Sequence, residues 1–209
     1  MMKKLAPSFY RRADVLAVAR DLLGKLLVTE FNNQVTAGRI VETEAYNGIG
    51  DKASHAYGGR RTNRTEVMYG GGGTAYVYLC YGIHHLFNVV TNEKNIPHAV
   101  LIRGVEPVNG LEFMLKRLKK SKPDHSIGRG PGNVSKALGI SVIHTSHSLG
   151  GPEIYIADDG FKLAEGQLVS GPRIGVDYAG EDASLPYRFH IKGNPYVSGK
   201  KASRKDAIV

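Results

Sequence analysis

The chain has one cysteine, Cys80, and no tryptophan in 209 residues. A single thiol excludes an internal disulfide framework and a cysteine-based zinc site, and it suits a reducing compartment. No apolar run approaches the roughly 20 residues that span a bilayer. The charged start, Met1 to Leu5, is not followed by the apolar stretch of a signal peptide. A cytoplasmic, nucleoid-associated protein without membrane contact is expected. No internal repeat, heptad run or linker interrupts the chain, so residues 1–209 read as one domain. Acidic residues are also scarce: 19 Asp and Glu stand against 28 Lys and Arg, a net charge of +9. Such a surface favours polyanions through steering and counterion release.

Glycine, by contrast, is abundant at 26 residues, so sharp turns are expected. Apolar residues at helical spacing predict a helix over Arg12 to Leu23, stopped at Gly24. Lys25 to Thr29 and Val35 to Tyr46 read as two strands around the turn Phe31-Asn32-Asn33-Gln34. Strict alternation on the second strand puts Ile40, Glu42, Glu44 and Tyr46 on one face. Glu42 and Glu44 then lie about 7 Å apart, twice the rise per residue. Like charges that close, partly desolvated, raise one pKa and suit acid or base work.

The segment Asn47 to Gly73 is too long for a simple connection and is expected to be functional or mobile. Arg60, Arg61 and Arg64 in it are candidate phosphate contacts. Gly70 to Gly73 lacks the Lys-Ser/Thr ending and following helix of a phosphate-binding P-loop. Ala75 to Tyr81 and His84 to Thr91 read as a hairpin with Tyr81 near its tip. An aromatic at that point is either folded back over the hairpin or free to enter a base stack. Ala99 to Val105 is a strand in which Arg103 interrupts an apolar run, and a buried arginine needs an anion such as Glu44 or a phosphate. Asn109 is read as the cap of a helix reaching Lys120. Gly128 to Asn133 leads into a short helix, Val134 to Leu138. Ile154 to Ala157, Phe161 to Leu163, Ile174 to Val176 and Arg188 to Lys192 are further strand candidates. The basic tail from about residue 199 is expected to be mobile.

R-I-V-E-T-E-A-Y (Arg39 to Tyr46), S-H-A-Y-G-G-R (Ser54 to Arg60), G-T-A-Y-V-Y-L-C-Y-G (Gly73 to Gly82) and V-L-I-R-G-V-E-P (Val100 to Pro107) together resemble the alkyladenine (3-methyladenine, methylpurine) DNA glycosylases. G-R-G-P-G, G-P-R-I-G-V and P-Y-R-F-H-I-K-G-N-P-Y-V-S continue the likeness in the same order, from about Tyr10 to Ser198. The resemblance implies a single α+β domain. Its curved, mostly antiparallel sheet is partly open and barrel-like, carries packed helices and extends a protruding β-hairpin.

The implied activity is removal of alkylated or deaminated purines from double-stranded DNA, by flipping the base and hydrolysing its N-glycosidic bond with water. No cofactor, no metal and no lyase step are implied, and a monomer is expected. In the roles the resemblance implies, Glu44 is the general base, and Arg103 and the His55 backbone hold the attacking water. Tyr46, His55 and Tyr78 are the aromatic walls of the base pocket. Asn88 disfavours the exocyclic amino group of guanine. Tyr81 fills the gap left by the flipped base, and Met68 is an apolar DNA contact near it. Arg60 and Arg64 are carried as DNA contacts.

Two rival readings come from the residues alone. An inverting glycoside hydrolase could use Glu42 and Glu44, whose spacing fits that class, but neighbouring strand carboxylates point in parallel. A non-catalytic single-strand-binding module could stack bases on its tyrosines, but a pocketed carboxylate would repel phosphate.

Overall fold

The computed structural model describes residues 2–199; the basic tail expected to be mobile lies outside them, apart from its first residue. The chain runs through strand β1 (Lys3–Lys4), helix α1 (Pro7–Tyr10), helix α2 (Val15–Leu22), strands β2 (Leu26–Phe31), β3 (Gln34–Tyr46), β4 (Thr74–Cys80), β5 (His84–Thr91) and β6 (His98–Asn109), helices α3 (Leu111–Leu118) and α4 (Pro131–Leu138), then strands β7 (Ile154–Asp158), β8 (Leu168–Gly171) and β9 (Arg188–Ile191). The sheet order is β1-β7-β2-β3-β6-β5-β4, with β9 joined to β3 and β8 to β9. Every pairing is antiparallel. The sheet curls into a half-barrel within one α+β domain, as expected. Among the described residues no helix is long and apolar enough to cross a membrane.

Helices α2, α3 and α4 cover one face of the sheet through β3, β5 and β6. The main core lies there, built from Val18, Leu22, Ile40, Phe87, Ile102, Met114 and Leu138 among others. Asp14 starts α2 later than the apolar pattern suggested, because its carboxylate accepts the Leu16 and Ala17 N–H groups. Asn109 is not a cap: it ends β6, and Gly110, at φ 72°, turns the chain into α3. Phe161–Leu163 and Ile174–Val176 form no strand, whereas Leu168–Gly171 does.

The β3–β6 ladder departs from strict alternation. Its register steps from Ile40↔Val105 to Glu42↔Gly104 and on to Thr43↔Ile102. Val41 is therefore an extra residue on β3, and Arg103 an extra one on β6. Bulges re-aim side chains locally. The one at Val41 breaks the expected shared face: Ile40 joins the core with Ala45 and Val105, while Glu42 and Glu44 keep the opposite face with Arg103. Gly104 is needed beside this irregularity. A Cβ there would stand 2.8 Å from the Tyr196 carbonyl oxygen and 3.1 Å from the Glu42 Cβ.

The Asn47–Gly73 segment is tied down rather than loose. It contains three 3-10 turns, at Gly48–Gly50, Tyr57–Gly59 and Glu66–Tyr69. Its glycine run ends on β4, not a helix, and Gly72 packs so closely that a Cβ would lie 2.5 Å from the Tyr10 carbonyl oxygen.

Behind the bulge, Gly128 lies flat against β6. Its carbonyl accepts the Val105 N–H, and a Cβ would fall 1.8 Å from the Val105 oxygen. Gly128→Ala must displace the strand that carries Arg103. Urea unfolding is expected to register a loss of about 3 kcal/mol, the upper end of ordinary overpacking; an unchanged midpoint would contradict the packing described.

Candidate active site

On the sheet face opposite the helices, strand register lines up Tyr76 with Asn88, Asn88 with Leu101 and Leu101 with Glu44, across four neighbouring strands. Alternation adds Tyr78 and Tyr46 two residues on. A cavity of about 200 Å³ opens over this row, closed at its sides by His55, Met68 and the stretch Ile174–Val176 with Tyr178. Tyr46, His55, Tyr76, Tyr78 and Tyr178 give its walls several aromatic faces, which suits a flat, aromatic ligand.

Glu44 is fully buried behind the pocket wall, and its bonding partners Tyr46, Arg103 and Ile174 line the cavity. One carboxylate oxygen accepts the Ile174 N–H at 2.7 Å; the other accepts the Tyr46 hydroxyl at 2.9 Å and Arg103 Nη1 at 3.3 Å. Burial is the largest influence on it and raises its pKa. The Arg103 charge and the two neutral donors oppose this without cancelling it, and Glu42 adds to the rise. Glu44 is thus a carboxylate made more basic than usual.

Glu42, equally buried, goes the other way. Burial pushes its pKa up, but Arg103, the Ser198 N–H and Arg188 together outweigh burial and lower it. Arg188 Nε lies 2.6 Å from it, the Ser198 N–H 2.6 Å and the Ser198 hydroxyl 2.9 Å. Two carboxylates on one strand face are driven apart in basicity, the pattern that separates acid–base roles. Arg103 joins them, with Nε 3.3 Å from Glu42 and Nη1 3.3 Å from Glu44. The anion that a buried arginine requires is met by two carboxylates.

His55 stands at the side of the pocket. Its Nδ1 is 2.8 Å from the Tyr76 hydroxyl and its Nε2 is 3.2 Å from Arg64 Nη2. A guanidinium only donates, so Nε2 is the acceptor and the proton sits on Nδ1. Burial, with the Arg64 and Arg60 charges, lowers the His55 pKa to about 4. The ring is neutral at physiological pH. It meets Tyr78 edge-on at 4.7 Å between centroids, and Arg64 lies over the other ring at 4.8 Å. Asn88 is fixed, both amide contacts going to the Tyr76 and Leu86 carbonyls.

Two assignments change. Met68 is only 2% exposed and lines the pocket; buried beneath the loop with Tyr69 and Tyr76, it offers no side chain to an external DNA surface. Arg61 is engaged by Glu66 through both Nε and Nη2, so it is not a free phosphate contact, whereas Arg60 and Arg64 remain exposed. Tyr81 stands 90% exposed at the hairpin tip. Its φ of 50° lies in the left-handed region, disfavoured for a bulky residue. An exposed aromatic on a strained backbone is the kind of feature that function retains.

Sequence reasoning missed the partners that come from far along the chain. Arg173 is buried and grips Asp51 with two nitrogens, at 2.5 and 2.8 Å, and donates to the Ala45 carbonyl at 3.0 Å. Asp51 in turn accepts the Asn47 and Ala53 N–H groups. This pair pins the Ile174 N–H on Glu44. Arg188 and Ser198 went unassigned likewise. The one signal was the likeness of G-P-R-I-G-V and N-P-Y-V-S to family segments. Among the described residues no group of three or more His, Cys, Asp or Glu is arranged to hold a metal ion.

An α+β half-barrel with a buried basic carboxylate, an aromatic pocket and an exposed aromatic hairpin tip defines a class, and comparison with known proteins names it. The methylpurine-DNA glycosylase family matches residues 8–195, and the chain belongs to that family. It is 49% identical over 191 residues to a Chlamydia abortus protein, covering 90% of this chain and 99% of the other. A Desulfitobacterium hafniense protein is 47% identical over 208 residues, with 95% and 100% covered. One from Clostridium perfringens is 45% identical over 205 residues, with 94% and 100% covered. All three carry the provisional name 3-methyladenine DNA glycosylase. The chain is a DNA N-glycosylase, a hydrolase, with no lyase activity indicated.

Removing one partner of the Asp51–Arg173 pair leaves a buried charge alone. Arg173→Ala is expected to lower unfolding stability by about 3–5 kcal/mol, read by chemical denaturation; a change under about 1 kcal/mol would make the pair a surface-like contact.

Proposed function

We propose that the protein flips alkylated or deaminated purines out of duplex DNA and hydrolyses the N-glycosidic bond with a water activated by Glu44, leaving an abasic site. The purines meant are 3-methyladenine, 7-methylguanine, hypoxanthine and ethenoadenine. The observation that carries this reading is a buried carboxylate of raised basicity whose donors Tyr46, Arg103 and Ile174 line a pocket with several aromatic walls.

In the reaction, the C1′–N bond breaks and its electron pair leaves with the base, while charge develops on the sugar. Glu44 takes a proton from the water as its oxygen bonds to C1′. The negative carboxylate also stabilises the oxocarbenium-like sugar. Arg103 and the His55 backbone position the water. Tyr46, His55 and Tyr78 sandwich the base. A cationic alkylated purine is both a good leaving group and a partner for aromatic faces. The neutral ring of His55 suits this wall, because a charged imidazolium would repel such a base. Asn88, held by two backbone carbonyls, disfavours the exocyclic amino group of guanine; in 7-methylguanine, which keeps that group, the ready departure of the cationic base offsets the cost.

At the edge of the pocket, Tyr81 enters the stack where the base has left, offsetting part of the few kcal/mol that flipping costs. Arg60 and Arg64 take phosphates, and the net positive charge draws the protein to DNA. Neither rival reading fits as well. Glu42 is saturated with donors and has no proton to give, which removes the second carboxylate of a glycoside hydrolase. A binding module has no use for a buried basic carboxylate.

Glu44→Gln is expected to retain binding to abasic-analogue DNA while single-turnover release of hypoxanthine or 3-methyladenine falls by roughly 10²–10⁴-fold. Release at the original rate would remove Glu44 from the mechanism. Tyr81→Ser deletes the wedge alone and is expected to weaken lesion-DNA affinity by about tenfold, the value of one stacked base. Unchanged affinity, measured by fluorescence anisotropy, would refute the wedge.

A further inference from the structure

Glu42 has no place in the chemistry described above. Its carboxylate is consumed by donors from three separate parts of the chain. One oxygen accepts from Arg103 Nε, Arg188 Nε and the Ser198 hydroxyl; the other accepts the Ser198 N–H. The Ser198 hydroxyl is also 3.2 Å from Arg103 Nη2, and the Ser198 carbonyl accepts Arg188 Nη2 at 2.7 Å. The guanidinium of Arg103 is therefore held from its far side and left with one nitrogen, Nη1, for Glu44.

We propose that Glu42 is a positioning residue that holds the Arg103 guanidinium back from Glu44, limiting it to a single contact there, with Ser198 clamping the arrangement. The proposal rests on the reading of Glu44 as the base.

A counter-ion role alone does not account for this geometry. Arg103 already has Glu44 for a partner, and a second buried carboxylate required a second, half-buried cation, Arg188. Such clusters are weak stabilisers compared with apolar packing, so their value lies in what they orient. An arginine free to fork onto Glu44 with two nitrogens would form the strong bidentate pair and hold that carboxylate ionised and weakly basic. Sharing the guanidinium at 3.3 Å on both sides prevents it. The direction of the shifts agrees, Glu42 lowered and Glu44 raised.

The charged and titratable groups facing Glu44 are Arg103, Arg173, Glu42, Tyr46 and Tyr178. Those facing Glu42 are Glu44, Arg103, Arg188 and His190. Neutralising Glu42 removes a like charge from Glu44 and releases Arg103 and Arg188 toward it. All three changes lower the Glu44 pKa.

The test is single-turnover release of 7-methylguanine from duplex DNA as a function of pH. This base is already cationic, so only the base on the enzyme sets the acidic limb. Glu42→Gln is expected to move that limb down by about one pH unit and to lower the plateau. Glu42→Asp, which keeps the charge, is expected to return the limb to its original position. A limb unmoved in Glu42→Gln overturns the proposal. Glu44→Gln separates the two readings: if it releases base normally, the base assignment fails; if it is inactive while the Glu42→Gln limb stays put, only the positioning role fails. Should Glu42→Gln not fold, Ser198→Ala removes just the hydroxyl shared by Glu42 and Arg103. Its plateau rate is expected to fall about tenfold with Michaelis-complex affinity unchanged, and an unaltered rate in that folded variant overturns the proposal.

Discussion

Arg103 stands between two buried carboxylates, and much of the architecture exists to keep it there. A guanidinium in the interior is costly unless fully paired, and an even ladder would not aim it at both acids. The β3–β6 sheet meets this with two offset irregularities, an extra Val41 on one strand and Arg103 itself as the extra residue on the other. The irregularity sets further conditions. Gly104 must be bare for Glu42 and Tyr196, and Gly128 must lie flat on Val105. Ser198 and Arg188 must close the far side of Glu42. The Asp51–Arg173 pair must hold Ile174 against Glu44. The chemistry proposed for Glu44 depends on all of these, though among them only Arg103 and Ile174 both bond Glu44 and line the pocket.

The remaining parts divide the work between inside and outside. Apart from Tyr178 and Tyr81 at its edge, the pocket walls are buried or half-buried and held by short contacts, such as His55 with Tyr76 and Asn88 with two carbonyls. The hairpin tip is the reverse: Tyr81 is exposed, strained and without a partner among the described residues. Rigid walls favour discrimination between bases, because an obstacle must not yield. An exposed ring at a tight turn favours insertion between them. Arg64 lies at the boundary, over Tyr78 and against His55 on one side and open to solvent on the other.

Much of this was legible in the sequence, and the failures have physical causes. The hairpin, the long strand carrying Glu42 and Glu44, and the need of Arg103 for an anion follow from alternation and from the cost of a buried charge. The bulge was not legible, since alternation assumes an even ladder; Ile40 was therefore placed on the wrong face. Asn109 looked like a cap because its side chain suits one, yet the strand runs through it and Gly110 makes the turn. Ile174 to Val176 has strand-like residues, but Gly175 at φ 77° and the grip of Arg173 bend it over the pocket. Met68 was placed on the DNA side by resemblance, while packing with Tyr69 and Tyr76 takes it inside. Arg188 and Ser198 are more than 140 residues from Glu42, and no local pattern announces a contact of that range.

The central claim is that one environment splits two neighbouring glutamates into a basic and an acidic carboxylate. Carbon-13 NMR of side-chain carboxyls, titrated with pH and assigned through Glu44→Gln, measures this directly. The account predicts Glu44 titrating above the ordinary glutamate value and Glu42 below it. Glu42 titrating above Glu44, or both titrating together at the ordinary value, would contradict it.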